Sequence, residues 1–232
     1  MPKKIEIKGV IVSNDEKLIY DWFGIEAVCP KDVNNEIQDA KGDDLEIEIN
    51  SGGGDVFAGS EIYTILMDYN GNVAVKIVGI AASAAGVVAM AGKPVMMSPT
   101  AQIMIHNVIS MQFGDYRAME HEAEVLKNYN TSIANAYKLK TGMEEKELLK
   151  LMNKETWFTA QKALELKFID EIMFDDQSKL VASCGNTLPP KVISKVRNHL
   201  IKIGEVGNGE IAVKTAKARL NFLKLKGVNE NE

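Results

Sequence analysis

The pattern of apolar and polar residues predicts short strands that alternate with helices. Strict alternation predicts half-buried strands at residues 5–13, 45–49 and 72–79. The second and third of these run through turns of small residues into segments 56–69 and 87–91, whose apolar residues have helical spacing. Strands alternating with helices predict an α/β fold with a parallel sheet core and right-handed crossovers.

The second half of the body continues this pattern and adds one long helix. Short strands are predicted at residues 94–97 and 102–106, where apolar runs are bounded by turn residues. An amphipathic segment at 114–140 predicts a long helix, and shorter helices are predicted at 143–153 and 160–167. These elements belong to the same folded body as the strands before them.

Charge divides the chain into two parts. Residues 191–226 contain nine Lys/Arg and two Glu, so this segment carries +7 while the rest of the chain carries −12. The proline-containing stretch 186–190 marks the boundary as a linker. We therefore predict a folded domain, the body, at residues 1–185 and a basic, partly helical tail at 186–232. The tail has one aromatic residue, Phe222, so nucleic-acid binding is not favoured despite its charge.

Composition excludes several classes of protein. No apolar run is long enough to span a bilayer, and the first residues lack the apolar stretch of a signal peptide, so a cytoplasmic location is expected. The two cysteines, Cys29 and Cys184, are far apart and neither belongs to a C-x-x-C pair. A disulfide framework and a structural zinc site are therefore not expected, and no metal or cofactor is predicted.

Three glycines form the first strand-to-helix turn, at Gly52, Gly53 and Gly54. Glycine permits positive φ and close approach to the backbone, and adjacent N–H groups at a helix start bind anions. A phosphate loop would need Gly-Lys-Ser/Thr, which is absent, and the dinucleotide fingerprint fails at Phe57. Two interpretations remain, an oxyanion site and a purely structural turn.

The second turn, residues 79–86, places Ser83 among small residues at a predicted helix start. From this position alone, a serine that caps the helix is favoured over a nucleophile. A nucleophilic serine needs a base. His121 lies in a charged helix and His199 in the basic tail, which leaves His106 at the end of a predicted strand.

An orienting carboxylate would complete such a site, because it stabilises the imidazolium form of the base. Glu155 lies beside two aromatic residues at a helix exit, where the chain returns after the long helix. Asp170 and Asp115 are alternatives that position along the chain does not exclude.

The body resembles the ClpP family of serine peptidases over most of residues 5–175. The family's Asn-Ser-Pro-Gly-Gly loop, its nucleophile turn and its Met-Ile-His strand end are similar to residues 50–54, 79–86 and 104–106. Its acid-bearing segment is similar to residues 155–170. The resemblance implies a ClpP/crotonase-like α/β fold of repeated β-β-α units, with a parallel sheet core and a long handle helix.

The resemblance also implies a mechanism. Ser83 attacks the peptide carbonyl, His106 takes its proton and Glu155 orients His106, in the chain order that this family uses. The oxyanion hole is assigned to backbone N–H groups, at Gly53, Gly54 and Ala84. Members of this family form rings, so a homo-oligomer is expected, heptameric or built of stacked rings, with proteins or peptides as substrates.

Several residues depart from the family pattern. Glu155 replaces the usual Asp, Gly52 replaces the loop proline and Lys167 replaces a glycine. Asp55 replaces an apolar residue, which adds charge near the expected substrate cleft. These features resemble the ClpP-related head-maturation proteases of tailed phages and prophages. The favoured function is therefore an ATP-independent serine endopeptidase that cleaves capsid or scaffold proteins.

Three alternatives stay open at this point. The first is the housekeeping proteolytic subunit that works with an AAA+ unfoldase. The second, from another class of enzyme, is a crotonase-fold protein that acts on acyl-CoA. The third is a catalytically silent scaffold that keeps only the fold.

Overall fold

A single mixed sheet organises the body of the chain. The computed structural model describes residues 1–175, and these form one compact unit. The predicted tail at 186–232, and the end of the predicted body, lie outside the described residues.

The described residues contain eight strands and seven helices. The strands are β1 Lys3–Ile11, β2 Ala27–Val28, β3 Leu45–Gly54, β4 Val73–Ala82, β5 Val95–Met97, β6 Gln102–Ile105, β7 Thr156–Thr159 and β8 Glu171–Ile172. The helices are α1 Lys17–Trp22, α2 Pro30–Asp39, α3 Val56–Met67, α4 Ala84–Ala89, α5 Tyr116–Thr141, α6 Glu145–Met152 and α7 Ala160–Glu165. None of the described helices is long and apolar enough to cross a membrane.

The sheet has the order β2-β1-β3-β4-β5-β8, and β6 pairs with β4 beyond the part of β4 that pairs with β5. All of these pairs are parallel, whereas β7 pairs antiparallel with β6. The predicted α/β fold with a parallel core and a long helix is therefore confirmed. Because β3 and β4 are parallel neighbours, their carboxyl ends and the turns that follow them meet at one edge of the sheet.

Alternation along the central strands separates a buried face from a charged face. The inward side chains are all 2% exposed or less, at Ile5, Ile7, Leu45, Ile47, Ile49, Val75 and Ile77. On the opposite face, Lys4 and Lys8 of β1 each form ion pairs with both Glu6 and Glu48, at 2.9–3.1 Å. Hydrogen bonds from Lys4 and then Lys8 lower the pKa of the Glu48 carboxyl, against a smaller opposing effect of burial.

Some boundaries differ from those predicted, for local reasons. The long helix begins at Tyr116 rather than at 114, because the Asp115 side chain accepts hydrogen bonds from the N–H groups of Arg117 and Ala118. It ends before Gly142, which has a left-handed φ of 72°. Strand β3 runs through the three glycines as far as Gly54. The prediction that the strand ends before the glycines was wrong, since Gly53 and Gly54 still pair with β1. The chain turns into α3 directly after them, and residues 52–54 are called the glycine turn below.

Candidate active site

Ser83 occupies a strained turn between β4 and α4. Its φ of 55° and ψ of −124° are sparsely populated for a residue with a side chain, and such strain is concentrated at functional sites. The backbone N–H of Ser83 donates to the Met104 carbonyl at 2.9 Å, which ties the turn to β6. The Ser83 side chain makes no capping hydrogen bond to α4. The interpretation of Ser83 as a helix cap was therefore wrong.

His106 reaches Ser83 because β6 extends the sheet beside the end of β4. The pair Ala82↔Met104 lies next to the turn, and His106 follows two residues later. Its Nε2 lies 2.7 Å from the Ser83 Oγ, and both side chains are partly buried. In the tautomer with the proton on Nδ1, the serine hydroxyl donates to Nε2, which is the arrangement that activates a serine.

The glycine turn lies directly against Ser83. Gly53 has a φ of 93°, and a Cβ added there would lie 2.8 Å from the Ser83 Cβ. Gly54 has a φ of 149°, and a Cβ there would lie 2.0 Å from the Ile11 carbonyl oxygen. These two positions therefore exclude any larger residue without movement of the backbone. By contrast, a Cβ at Gly52 would meet no atom within 4 Å.

The three predicted oxyanion donors are not equivalent in the structure. The Gly53 N–H donates to the Ser51 Oγ at 3.1 Å, so this group already has a partner. Gly54 and Ala84 line the same cavity as Ser83, and Ala84 is the first residue of α4. The Asp55 carboxylate, which the sequence placed near the cleft, accepts a 2.6 Å hydrogen bond from the Ala58 N–H and caps α3.

A cavity of about 400 Å³ opens beside the serine and the histidine. One wall belongs to α5, which contributes the mainly apolar side chains of Leu126, Tyr129, Ile133 and Tyr137. Burial without a charged partner raises the pKa of the Tyr137 phenol, so this side chain stays neutral. Phe57 packs edge-to-face on Tyr129, with ring centroids 5.3 Å apart. The cavity is therefore suited to an apolar group of a substrate.

Glu155 is not hydrogen-bonded to His106. Its carboxylate is exposed and accepts a 3.3 Å hydrogen bond from the Trp157 indole N–H. The antiparallel register of β6 and β7 pairs Ile105 with Thr156. The ladder ends at this pair, so His106 and Glu155 are the first residues beyond it on either side. Glu155 leaves the extended conformation at a φ of 48°.

The two alternative carboxylates are engaged away from His106. Asp170 accepts hydrogen bonds from the Val95 N–H and from the Lys140 ammonium group, and so ties β5 to α5. Asp115 caps α5, and the Arg117 guanidinium lowers the pKa of its carboxyl. Neither carboxylate forms a hydrogen bond or an ion pair with the histidine.

Asn107 and Ser51 are polar residues near the site that sequence reasoning did not assign. The Asn107 Nδ2 donates to the Asn153 Oδ1 at 2.8 Å, and Asn107 lines the cavity. Its own Oδ1 is buried with no partner among residues 1–175. The sequence carries no periodic signal for either residue, because each one acts through contacts made across the fold.

A serine hydroxyl against a histidine, beside a glycine turn at the carboxyl ends of parallel strands, is the arrangement of a serine hydrolase. Residues 33–176 match the Clp protease family. The chain belongs to this family, and it is a serine-type endopeptidase with protein substrates.

Individual relatives agree with the family match. The chain is 30% identical over 174 residues to the ATP-dependent Clp protease proteolytic subunit of Mesostigma viride, covering 74% of this chain and 70% of the relative. It is 28% identical over 196 residues to subunit 1 from Leifsonia xyli subsp. xyli, covering 78% and 96%. It is 26% identical over 148 residues to subunit 2 from Tropheryma whipplei, covering 62% and 81%.

These names bear on the alternatives set out above. The relatives are described as proteolytic subunits of an ATP-dependent protease, which favours the housekeeping alternative over capsid maturation. The predicted resemblance to ClpP peptidases is confirmed at the level of the family. The class of enzyme is a peptidase rather than an acyl-CoA enzyme.

Proposed function

We propose that this protein is the proteolytic subunit of an ATP-dependent protease, with Ser83 as its nucleophile and His106 as its general base. The observation that carries the proposal is the 2.7 Å contact between the Ser83 Oγ and the His106 Nε2. A hydroxyl needs a base within about 2.6–3.2 Å to lose its proton as it attacks.

The reaction is acyl transfer in two halves. Ser83 Oγ forms a bond to the scissile carbonyl carbon while His106 Nε2 takes the hydroxyl proton. His106 then gives that proton to the leaving amine, and the C–N bond breaks. A water molecule, activated by the same imidazole, hydrolyses the acyl-enzyme and restores Ser83.

Backbone N–H groups of Gly54 and Ala84 are proposed to bind the oxyanion that forms on the carbonyl oxygen. Both residues line the cavity with Ser83. The Gly53 N–H is left out of this proposal, since it already donates to Ser51. Each such donor contributes about 10²–10³-fold to kcat in enzymes of this kind.

Glu155 is proposed to orient His106 when substrate or assembly draws its side chain away from Trp157. The end of the strand register supports this role, because His106 and Glu155 each directly adjoin the last pair of β6 and β7, Ile105 and Thr156. We expect Glu155→Gln to lower kcat by at least about tenfold, while Glu165→Gln on the exposed face of α7 leaves it unchanged. A Glu155→Gln variant with the kcat of the wild type would remove this residue from the mechanism.

The substrate class follows from the cavity. Its α5 wall is largely apolar, so we propose that a peptide with a large apolar side chain next to the scissile bond is cleaved fastest. Confinement inside a ring and delivery by an unfolding ATPase are proposed from the names of the relatives and from the family. The basic segment at 186–232 is proposed to be an extension separate from the peptidase domain.

Fluorophosphonate labelling tests the proposal directly. The assembled wild-type protein should be labelled at Ser83, and Ser83→Ala and His106→Ala should both abolish labelling. A folded wild-type protein that is not labelled would refute the nucleophile. Co-purification from the source cell then tests the partner: recovery of an unfolding ATPase supports the proposal, whereas recovery of a coat or scaffold protein supports capsid maturation instead.

A further inference from the structure

Ser51 and Thr141 are the buried polar side chains of the described residues, at 1% and 6% exposure. Each hydroxyl donates to a backbone carbonyl and accepts a backbone N–H from the residue two positions later. Thr141 does this at the end of α5, where it stabilises the helix terminus. Ser51 does it beneath the glycine turn, two residues before Gly53.

The Ser51 hydroxyl replaces backbone pairing that the sheet loses at this point. The register of β1 against β3 shifts between Lys8 and Val10, which leaves Gly9 outside the ladder. Ser51 Oγ donates to the Gly9 carbonyl at 2.6 Å and accepts the Gly53 N–H at 3.1 Å. One hydroxyl therefore satisfies a carbonyl and an N–H on two strands at a bulge.

This contact determines which N–H groups remain near the nucleophile. The Gly53 N–H points to Ser51, and the Gly53 Cα lies so close to Ser83 that a Cβ would be 2.8 Å from the Ser83 Cβ. With the Gly53 peptide held in this way, the next residue, Gly54, lines the cavity. A change in the Gly53 peptide therefore changes the position of the Gly54 N–H.

We propose that Ser51 is a positioning residue for the oxyanion hole. It holds the Gly53 N–H away from the cavity and so positions the Gly54 N–H to donate to the oxygen of the carbonyl that Ser83 attacks. This inference rests on the proposed function and adds a residue that touches neither substrate nor nucleophile. Its effect should appear in the transition state and not in substrate binding.

Thr141 offers a matched control, because it is also buried and makes the same two kinds of hydrogen bond, but at the end of α5 rather than beneath the glycine turn. Ser51→Ala should lower kcat by about 10–100-fold with KM nearly unchanged. Its affinity for a peptide aldehyde, which forms a tetrahedral adduct on Ser83, should fall by a similar factor. Thr141→Ala should lose stability of the same order while its kcat and aldehyde affinity stay at the wild-type level.

The experiment separates failure of this inference from failure of the proposed function. Fluorophosphonate labelling of wild-type Ser83 is measured first, and its absence refutes the function itself. If the wild type is labelled and folded Ser51→Ala keeps the kcat and aldehyde affinity of the wild type, the inference alone is overturned. Ser51→Cys retains a weaker hydrogen-bonding group, so its kcat should lie between those of wild type and alanine. A Ser51→Cys protein with wild-type kcat also overturns the inference if Ser51→Ala does not fold.

Discussion

The glycine turn provides the sharpest test of the site, because neighbouring glycines differ in what a methyl group would meet. In Gly53→Ala the new Cβ would lie 2.6 Å from the Ala82 carbonyl oxygen and 2.8 Å from the Ser83 Cβ. Carbon atoms prefer separations of about 3.5–4.0 Å, so the turn or the nucleophile must move by about 0.7 Å or more. The φ of 93° at this position adds backbone strain.

A displacement of this size should lower the catalytic rate strongly and the free energy of unfolding only moderately. Misplacing a reacting group by about 1 Å lowers rates by about 10²-fold. We therefore expect the kcat/KM of Gly53→Ala for a fluorogenic peptide to fall by about 100-fold. The stability cost should be about 1–3 kcal/mol, measured by urea unfolding, which leaves most of the protein folded.

Gly52→Ala is the control. Its Cβ would meet no atom within 4 Å, and its φ lies outside the left-handed region. We expect its kcat/KM to stay within about twofold of the wild type. The reasoning is refuted if folded Gly53→Ala keeps more than half of the wild-type activity, or if Gly52→Ala loses as much activity as Gly53→Ala.

Three further predictions concern the base, the structural carboxylate and the charged face. His106→Ala should lower kcat by about 10²–10⁴-fold while His121→Ala has no effect, and equal losses in a peptide-hydrolysis assay would contradict the assignment of the base. Asp170→Asn should lower the free energy of unfolding by about 1–3 kcal/mol without changing kcat, as checked by urea titration and by hydrolysis on the same samples. The lowered pKa of Glu48 stabilises the fold above the carboxyl's ordinary pKa, and this stabilisation is lost as the pH falls through the folded-state value. The free energy of unfolding of Glu48→Gln, measured by urea titration, should therefore fall less than that of the wild type as the pH is lowered. If the two proteins show the same dependence on pH, the ion pairs of Glu48 contribute nothing to stability.

The sequence was sufficient for the elements that depend on neighbours along the chain. Alternation predicted the buried faces of β1, β3 and β4, because the period of a strand assigns every second residue to the core. The small residues around Ser83 and the histidine at the end of a short strand were also visible as local patterns. The small number of histidines also helped, since the chain has only three and each is a candidate for the base.

Residues that act through distant contacts could not be interpreted from the sequence. Asn107 directly follows His106 in the chain, but its amide donates to the Asn153 Oδ1, 46 positions away. Asp170 was an alternative acid until the fold placed it against Lys140. Such side chains satisfy hydrogen bonds with the nearest available partner, and only the packing of strands and helices decides which partner is nearest.

The sequence by itself therefore determined the α/β pattern, the glycine turn, and Ser83 and His106 as candidates. The tertiary structure alone decided that the Ser83 side chain does not cap α4, that the Ser83 Oγ and His106 Nε2 lie 2.7 Å apart, and that the Gly53 N–H donates to Ser51. The physical reason is the separation along the chain: the serine and the histidine are 23 positions apart. Pairing of β6 with the end of β4 brings them together, and strand pairing is a property of the whole sheet.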